Sequence, residues 1–310
     1  MLLAVLLFIV GLVLICLGGD HFVDASVAIA EKLGIPQIVV GATIVSLGTT
    51  LPEVLVSTTA AFGGSAEIAA GNAFGSIICN TSLIAAVGLV AKPPKHVEPS
   101  SFNWRILFFS IICIFMIIVG KFTGRYNRIT GIVLLGCFAL YAVLTVILAK
   151  NESLQEEADG DISLLKAFIT LVICAIMLFI GARLLVNNGI IIAEKLKVPQ
   201  RVIAVTFIAL GTSLPELVTT ITSLIKGKGN VGLGNIIGAN LLNLLLVIGI
   251  PATISGMELQ QSTVNIDAPV GLLFMLILSV PILIKKKGYR LQGIILLIGY
   301  VIYCISSVAA

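Results

Sequence analysis

The chain has 310 residues, of which 58% are hydrophobic and only 11% are charged, and its mean hydropathy is +1.15. A soluble domain has roughly a quarter of its residues charged, so the composition excludes a soluble globular protein and predicts an all-α polytopic membrane protein. The net charge of +4 is too small to indicate nucleic-acid binding, and basic residues in such a chain act mainly as topology signals.

Ten transmembrane helices are predicted from apolar runs of about 20 residues, the length that spans a bilayer. The first five are expected near residues 1–32, 38–62, 66–90, 104–120 and 129–149. The second five are expected near residues 163–195, 201–225, 230–254, 268–285 and 290–308. Residues 151–162 are acidic, but their spacing is not that of an EF-hand calcium loop. We interpret them as a solvated cytoplasmic linker.

The two sets of helices are copies of one another. A constant offset of 163 positions aligns them without a gap, pairing for example Pro36 with Pro199. Residues 1–150 and 163–310 are therefore predicted to be homologous five-helix repeats. Because five is an odd number, the second repeat must enter the membrane from the opposite side. This gives the inverted repeats that many secondary transporters share.

A short stretch with adjacent proline and glutamate occurs once in each repeat, at residues 46–53 and 209–216. A proline removes one helical hydrogen bond, and a carboxylate at membrane depth is strongly unfavourable. No lysine or arginine lies within either stretch to pair with the glutamate. We interpret both stretches as broken helices that surround an ion site.

The donor atoms of these stretches are oxygen atoms. Each stretch supplies a carboxylate, hydroxyl groups and backbone carbonyls that the proline frees from helical pairing. Such a set suits hard cations such as Ca²⁺, and the carboxylates of Glu53 and Glu216 match the charge of one divalent ion. Without a bound cation or proton they would repel each other. The sequence therefore predicts an obligatory exchanger.

The helices that follow carry a second pair of motifs, at residues 71–80 and 234–243. Their GxxxG spacing indicates close helix packing, and packing alone is the alternative interpretation of the motif. Asn80 and Asn243 are expected to present amide oxygens to the site. Asn72 and Asn235 are expected to cap exposed backbone at the breaks.

Polar residues also occur in the first predicted helix. Asp20, His21 and Asp24 lie toward the end of that helix, and the repeat mate of Asp20 is Arg183. We expect them to be interfacial, or Asp20 to contact Arg183, rather than to bind an ion.

The distribution of basic residues predicts the orientation of the chain in the membrane. With the N-terminus outside, twelve Lys and Arg residues lie on the cytoplasmic side and six on the outer side. The sequence thus predicts a multi-pass protein of the cell membrane with both termini extracellular.

The doubled motifs resemble the paired α-repeats of the sodium/calcium exchanger family of calcium:cation antiporters. The resemblance covers nearly the whole chain and is that of a prokaryotic member without a large cytoplasmic domain. It implies electrogenic exchange of several Na⁺ for one Ca²⁺ by alternating access, during which the long first helices of the two repeats slide over the bundle. By position it implies a metal site made of the following residues: Glu53, Glu216, Thr49, Thr212, Ser46, Thr50, Ser76, Asn80, Ala209, Ser213, Ala239 and Asn243.

Within this set the resemblance implies that the two glutamates bind Ca²⁺ with the carbonyls of Thr49 and Thr212. The implied Na⁺ ligands are Ser46, Thr50, Ser76, Ala209, Thr212 and Ser213, with Asn80 and Asn243 at the centre. Asn243 stands where potassium-dependent and several prokaryotic relatives have aspartate, which predicts independence of K⁺. Ala239 stands where a serine would serve an outer Na⁺ site, so the affinity or number of Na⁺ sites is expected to differ.

The sequence therefore predicts a Na⁺-driven Ca²⁺ antiporter and not an enzyme. The predicted partners are Ca²⁺, Na⁺ and the lipid bilayer, with no cofactor, no nucleic acid and no obligatory protein partner. H⁺/Ca²⁺ exchange is the alternative, because buried carboxylates also carry protons. A cation channel and an intramembrane hydrolase, in which paired carboxylates activate water, are less favoured.

Overall fold

The structure, a computed structural model, describes residues 2–97, 99–151, 163–197, 211 and 213–309. We label its helices in chain order: α1 Leu2–Leu33, α2 Gln37–Phe62, α3 Glu67–Ala91, α4 Pro99–Thr123, α5 Arg128–Asn151, α6 Leu164–Lys195, α7 Leu214–Ile225, α8 Gly229–Ser255, α9 Thr263–Lys285 and α10 Arg290–Ala309. Two short strands, β1 (Arg125–Tyr126) and β2 (Met257–Glu258), form a two-stranded antiparallel sheet.

Within the described part of the chain, nine helices are long and apolar enough to cross a membrane. The remaining one, α7, has 12 residues, because the predicted span 201–225 begins in residues outside the described ranges. Many large apolar side chains on α1, α4, α5 and α6 are exposed, as expected of surfaces that contact lipid rather than water. The predicted all-α polytopic membrane fold is confirmed.

Contacts between the segments that connect the helices show which of these segments lie on the same side of the membrane. Strand β1 lies between α4 and α5, and it pairs with β2 between α8 and α9, with Arg125 opposite Glu258. The amide nitrogen of Val97, after α3, donates to the carbonyl of Lys286, after α9, at 2.9 Å. These contacts agree with the ten crossings predicted from the sequence, which place each pair of connections on one side of the membrane. The two five-helix repeats are therefore inverted.

The long helices α1 and α6, each of 32 residues, pack against each other around a hydrophobic core to which α2 and α8 also contribute. A Cβ on Gly11 would lie 2.8 Å from the carbonyl oxygen of Gly181, so the two backbones touch at this crossing. The principal residues of this core are Ile15, Phe22, Val23, Leu171, Cys174 and Leu178. A second, larger core lies among α3, α4, α8 and α9 and includes Phe74, Phe109, Ile237 and Met275. Helices α2 and α8 join the two cores, since Val40 and Val231 belong to the first and Val39 and Ile237 to the second.

Two predicted helix starts were several residues too late. The fourth helix was expected from residue 104 and begins at Pro99, where proline is tolerated because a first-turn amide has no helical partner. The ninth was expected from residue 268, and α9 begins at Thr263 with a π-helical segment. Polar residues in this segment, Asn265 and Asp267, weakened the apolar signal there.

The described helices contain four π-helical segments: Gly41–Val45 in α2, Asn80–Ile84 in α3, Asn243–Ile248 in α8 and Thr263–Asp267 in α9. Pi-helical turns are rare and are frequently found at functional sites. In α2 the chain stays helical through Pro52, so the irregular backbone lies at residues 41–45 rather than at the proline. Pro52 still leaves the carbonyl of Gly48 without its usual helical donor.

Candidate functional site

One face of α2 carries the first set of predicted ligands. Four residues of this face are 0–1% exposed: Ser46, Thr49, Thr50 and Glu53. Their spacing of three and four residues aligns them along one side of a helix. The side chain of Asn72, on α3, donates to the Glu53 carbonyl at 3.4 Å and to Ser57 Oγ at 3.0 Å. Asn72 was expected to cap backbone exposed at the break; it instead bonds to Glu53 and Ser57, beyond the Gly48 carbonyl that Pro52 frees.

The second set lies at the beginning of α7. Ser213 precedes this helix in a turn, Pro215 occupies its first turn, and Glu216 follows. Ser213 and Glu216 are both 1% exposed. The N-terminal end of a helix carries a partial positive charge, which stabilises a carboxylate in the first turn. The backbone at the start of α7 thus stabilises a buried carboxylate at position 216.

Side-chain hydrogen bonds join the two repeats at this level. Thr50 Oγ1 donates to Glu216 Oε1 at 3.2 Å. Asn235, on α8, accepts from Thr49 Oγ1 and donates to Thr219 Oγ1, both at 3.0 Å. Asn235 was expected to cap backbone; it instead bridges side chains of α2 and α7. The structure therefore brings the two proline–glutamate motifs into one buried polar layer.

Replacing Asn235 with alanine is expected to lower the stability of the protein by about 1–3 kcal/mol, the usual effect of losing buried hydrogen-bond partners. Asn235 is 0% exposed, so water cannot replace the amide directly. The melting temperature in detergent measures the effect. Asn187→Ala, at an exposed position of α6, is the matched control. An unchanged melting temperature in Asn235→Ala would contradict the bridging role.

The two central asparagines occupy equivalent places. Asn80 and Asn243 each begin a π-helical segment and are 0% and 1% exposed. Asn80 Nδ2 donates to Asn240 Oδ1 at 3.2 Å, and Asn240 Nδ2 donates to Thr81 Oγ1 at 2.7 Å. Asn240 was not among the predicted site residues. Comparison of the repeats could not find it, because its mate is Ile77.

Several buried polar atoms have no hydrogen-bond partner among the described residues. Among the predicted site residues they include Asn80 Oδ1, Glu216 Oε2 and both amide atoms of Asn243. An unsatisfied buried polar group is unfavourable by about 1–3 kcal/mol, so such groups are rare in native structures. Three of these four atoms are oxygen acceptors. A bound hard cation would satisfy them, which agrees with the chemistry predicted from the sequence.

The structure describes only some of the remaining predicted ligands. Ser76 is 4% exposed, and its Oγ accepts from Ser213 Oγ at 3.4 Å, again across the repeats. Ala239 is fully buried in α8 and offers no side-chain oxygen. Ala209 and Thr212 lie outside the described residues, so their expected roles stay predictions.

Helix α8 approaches α2 closely enough for the polar layer to form. A Cβ on Gly234 would overlap the carbonyl oxygen of Ile38, and one on Gly238 would lie 2.6 Å from the Ala42 carbonyl oxygen. The Tyr141 hydroxyl, on α5, donates a hydrogen bond to the same Ala42 carbonyl at 2.5 Å. Ala42 belongs to the π-helical segment of α2. Sequence reasoning predicted the close glycine packing, but no local signal marked Tyr141.

The charged residues of α1 lie apart from this layer. The predicted Asp20–Arg183 contact was wrong: Asp20 pairs with Lys226 at 2.7 Å, and the Arg183 guanidinium lies over the ring of Phe179 at 4.9 Å. The repeat offset brings Asp20 and Arg183 to equivalent positions on two helices. Equivalent positions in inverted repeats need not be neighbours.

Comparison with known proteins gives a consistent result. A family profile described as "Sodium/calcium exchanger protein" matches residues 3–147 and 166–309. The chain is 35% identical over 291 residues to Inner membrane protein YrbG of Escherichia coli, covering 90% of this chain and 88% of that protein. It is 28% identical over 341 residues to Sodium/calcium exchanger MaX1 of Methanosarcina acetivorans, covering 97% of each.

A solved structure shows the same architecture. It is that of the sodium-calcium exchanger NCX_Mj soaked with 2.5 mM Na⁺ and 10 mM Sr²⁺, and it matches with a TM-score of 0.85 at 31% identity. The match covers 98% of this chain and 99% of that chain. The ten-helix arrangement of two inverted repeats is therefore shared along the whole length.

Proposed function

The chain belongs to the sodium/calcium exchanger family, and from this premise we propose that it exchanges several Na⁺ for one Ca²⁺ by alternating access. One observation carries the proposal. Glu53 and Glu216 come from opposite repeats, are both 1% exposed, and enter one polar layer in which Thr50 of the first repeat donates to Glu216 of the second. A divalent cation held there would contact both repeats at once.

The roles proposed for the ligands follow from charge and position. Ca²⁺ takes six to eight oxygen ligands, and the two glutamates with the carbonyls of Thr49 and Thr212 supply the charged part of such a set. Hydroxyl and carbonyl oxygens, which carry no formal charge, suit Na⁺. They are those of Ser46, Thr50, Ser76, Ala209, Thr212 and Ser213, with the amides of Asn80 and Asn243 between them. Ala239 contributes no side-chain ligand.

An obligatory exchange is the consequence of this composition. Two buried carboxylates without a cation repel each other in a region that offers little solvation. The change between access states is therefore unfavourable when the site is empty. It is not unfavourable when Ca²⁺ or Na⁺ occupies the site. Several Na⁺ ions exceed the charge of one Ca²⁺, so the exchange would be electrogenic. Asn243 in place of a carboxylate lowers the central negative charge and supports exchange that is independent of K⁺.

The proposed topology places residues 151–162 in the cytoplasm as a linker and both termini outside the cell membrane. The excess of Lys and Arg on the linker side supports this orientation. The linker divides the five-helix repeats 1–150 and 163–310.

Proteoliposomes loaded with Na⁺ and diluted into Na⁺-free medium are expected to take up ⁴⁵Ca²⁺, since the outward Na⁺ gradient drives the exchange. Uptake should rise at least about tenfold over vesicles with equal Na⁺ on both sides, and added K⁺ should not change it. A voltage-sensitive dye reports the net charge moved.

The controls separate the alternatives. Uptake driven by a pH gradient without Na⁺ would support H⁺/Ca²⁺ exchange, which the buried carboxylates also allow. Flux that persists without any counter-ion would indicate a channel. Uptake that is the same with and without the Na⁺ gradient would refute the proposal.

A further inference from the structure

Lys226 joins α1 to the carboxylate-bearing helix α7. It is the first residue after α7, and its ammonium nitrogen lies 2.7 Å from Asp20 Oδ1 and 2.7 Å from Asp24 Oδ1. It also donates to the backbone carbonyl of Asp20 at 2.8 Å. Three acceptors on one ammonium group satisfy its donor capacity. The Lys226 side chain is 21% exposed, whereas those of Asp20 and Asp24 are 50% and 60% exposed, so only the lysine is partly shielded from solvent.

The surroundings of Lys226 favour its charged form. Burial lowers the pKa of Lys226, but the hydrogen bonds from Lys226 to the Asp20 and Asp24 carboxylates outweigh it and raise the pKa above its ordinary value. His21 lies beside the aspartates, and the possible metal-ligating atoms of the three residues are within 4.8 Å of one another. Lys226 already supplies the positive charge between the carboxylates, so the ion pair explains the acidic cluster.

The ion pair joins α1 to a helix that contacts both hydrophobic cores. Leu214 and Val218 of α7 pack against the core of α1 and α6, whereas Leu217 packs against the larger core. Apolar contact between α1 and α7 is tight: a Cβ on Gly19 would lie 2.6 Å from Val218 Cγ1. Lys226 follows Glu216 by ten residues, about 15 Å along the helix. The position of α1 is thus tied to the helix that carries Glu216.

The arrangement exists in one repeat only. The position equivalent to Lys226 is Gly63, and the positions equivalent to Asp20 and Asp24 are Arg183 and Asn187. The symmetry-related contact, between α6 and α2, therefore cannot form the same ion pair. The pair therefore distinguishes the two repeats and can stabilise one position of α1 without a counterpart at α6.

We propose that Lys226, paired with Asp20 and Asp24, is a positioning residue that holds α1 against α7 and so favours one of the two access states of the exchanger. The inference rests on the proposed exchange function, because it concerns the states between which the exchanger alternates. Weakening the pair releases α1 and shifts the population toward the opposite state. Lys226 touches no transported ion.

The test measures the KM for Ca²⁺ from each side separately, with right-side-out and inside-out vesicles. Lys226→Ala is expected to raise the KM on one side and lower it on the other by about threefold, the size expected for partly exposed ion pairs. Lys226→Arg should retain the wild-type values. Asp20→Asn with Asp24→Asn should reproduce the Ala effect, and combining it with Lys226→Ala should add nothing.

A general loss of stability gives a different result, because it lowers the rate from both sides without opposite changes in KM. Lys285→Ala, at an exposed lysine at the end of α9, is the control. Equal changes on both sides, unchanged KM values, or additive effects in the combined variant would overturn the inference. If Lys226→Ala does not fold, the Asn variants, which preserve side-chain shape, decide it. Absence of Na⁺-dependent Ca²⁺ flux in the wild type would count instead against the proposed function.

Discussion

Glu216→Gln is expected to reduce Na⁺-driven Ca²⁺ uptake at least about 100-fold, equivalent to about 3 kcal/mol of lost ion binding. The glutamine preserves the size of the side chain and can still accept from Thr50, whose hydroxyl lies 3.2 Å from Glu216 Oε1. What it removes is one of the two negative charges that balance a divalent ion. Uptake of ⁴⁵Ca²⁺ into proteoliposomes measures the change, and Glu53→Gln is expected to behave alike.

The control for this experiment is Glu67→Gln, at an exposed glutamate in the first turn of α3, which should transport as the wild type does. The melting temperature in detergent should stay within a few degrees in all three variants, because no packing is altered. Retention of Ca²⁺ uptake within threefold of the wild-type rate in Glu216→Gln would exclude this carboxylate from the site.

Gly234→Ala is expected to destabilise the protein by about 1–3 kcal/mol, as overpacking of a tight interior does. The added methyl group would overlap the carbonyl oxygen of Ile38 and lie 3.0 Å from the amide nitrogen of Ala42. Both are backbone atoms, which cannot rotate away as a side chain can. Helix α8 must then move away from α2, and the hydrogen bond between Asn235 and Thr49 is lost with it.

The measurements for Gly234→Ala are the melting temperature in detergent and the rate of Ca²⁺ uptake, and both should fall. Gly136→Ala, at an exposed glycine of α5, tests whether any added methyl group has this effect. A wild-type melting temperature in Gly234→Ala would show that the backbones of α2 and α8 can separate without loss.

The sequence predicted the features that follow from composition and repetition. Apolar run length placed the helices, an odd number of crossings per repeat gave the inversion, and the doubled motif singled out Glu53 and Glu216. Each of these signals is either local or repeated at one offset. They required no knowledge of which helix faces which.

The features that the sequence could not predict depend on contacts between distant segments. Asn240 and Tyr141 have no polar mate in the other repeat that would draw attention to them, and their partners lie far away in the chain. The π-helical start of α9 was missed because polar residues interrupted the apolar pattern. Lys226 lies in a connection, where a lysine is expected to face water, and only the fold shows that it reaches two carboxylates of α1.

The length of α1 and α6 makes these helices sensitive to the thickness of the bilayer. Each helix has 32 residues and therefore extends about 48 Å, against a hydrocarbon layer of about 30 Å. Only 28% of the apolar window in each is buried inside the protein, so most of their surface contacts lipid. Helices that exceed the membrane thickness tilt, and the tilt follows the thickness. Because α1 and α6 pack against each other, we expect a change in bilayer thickness to act on the two helices together.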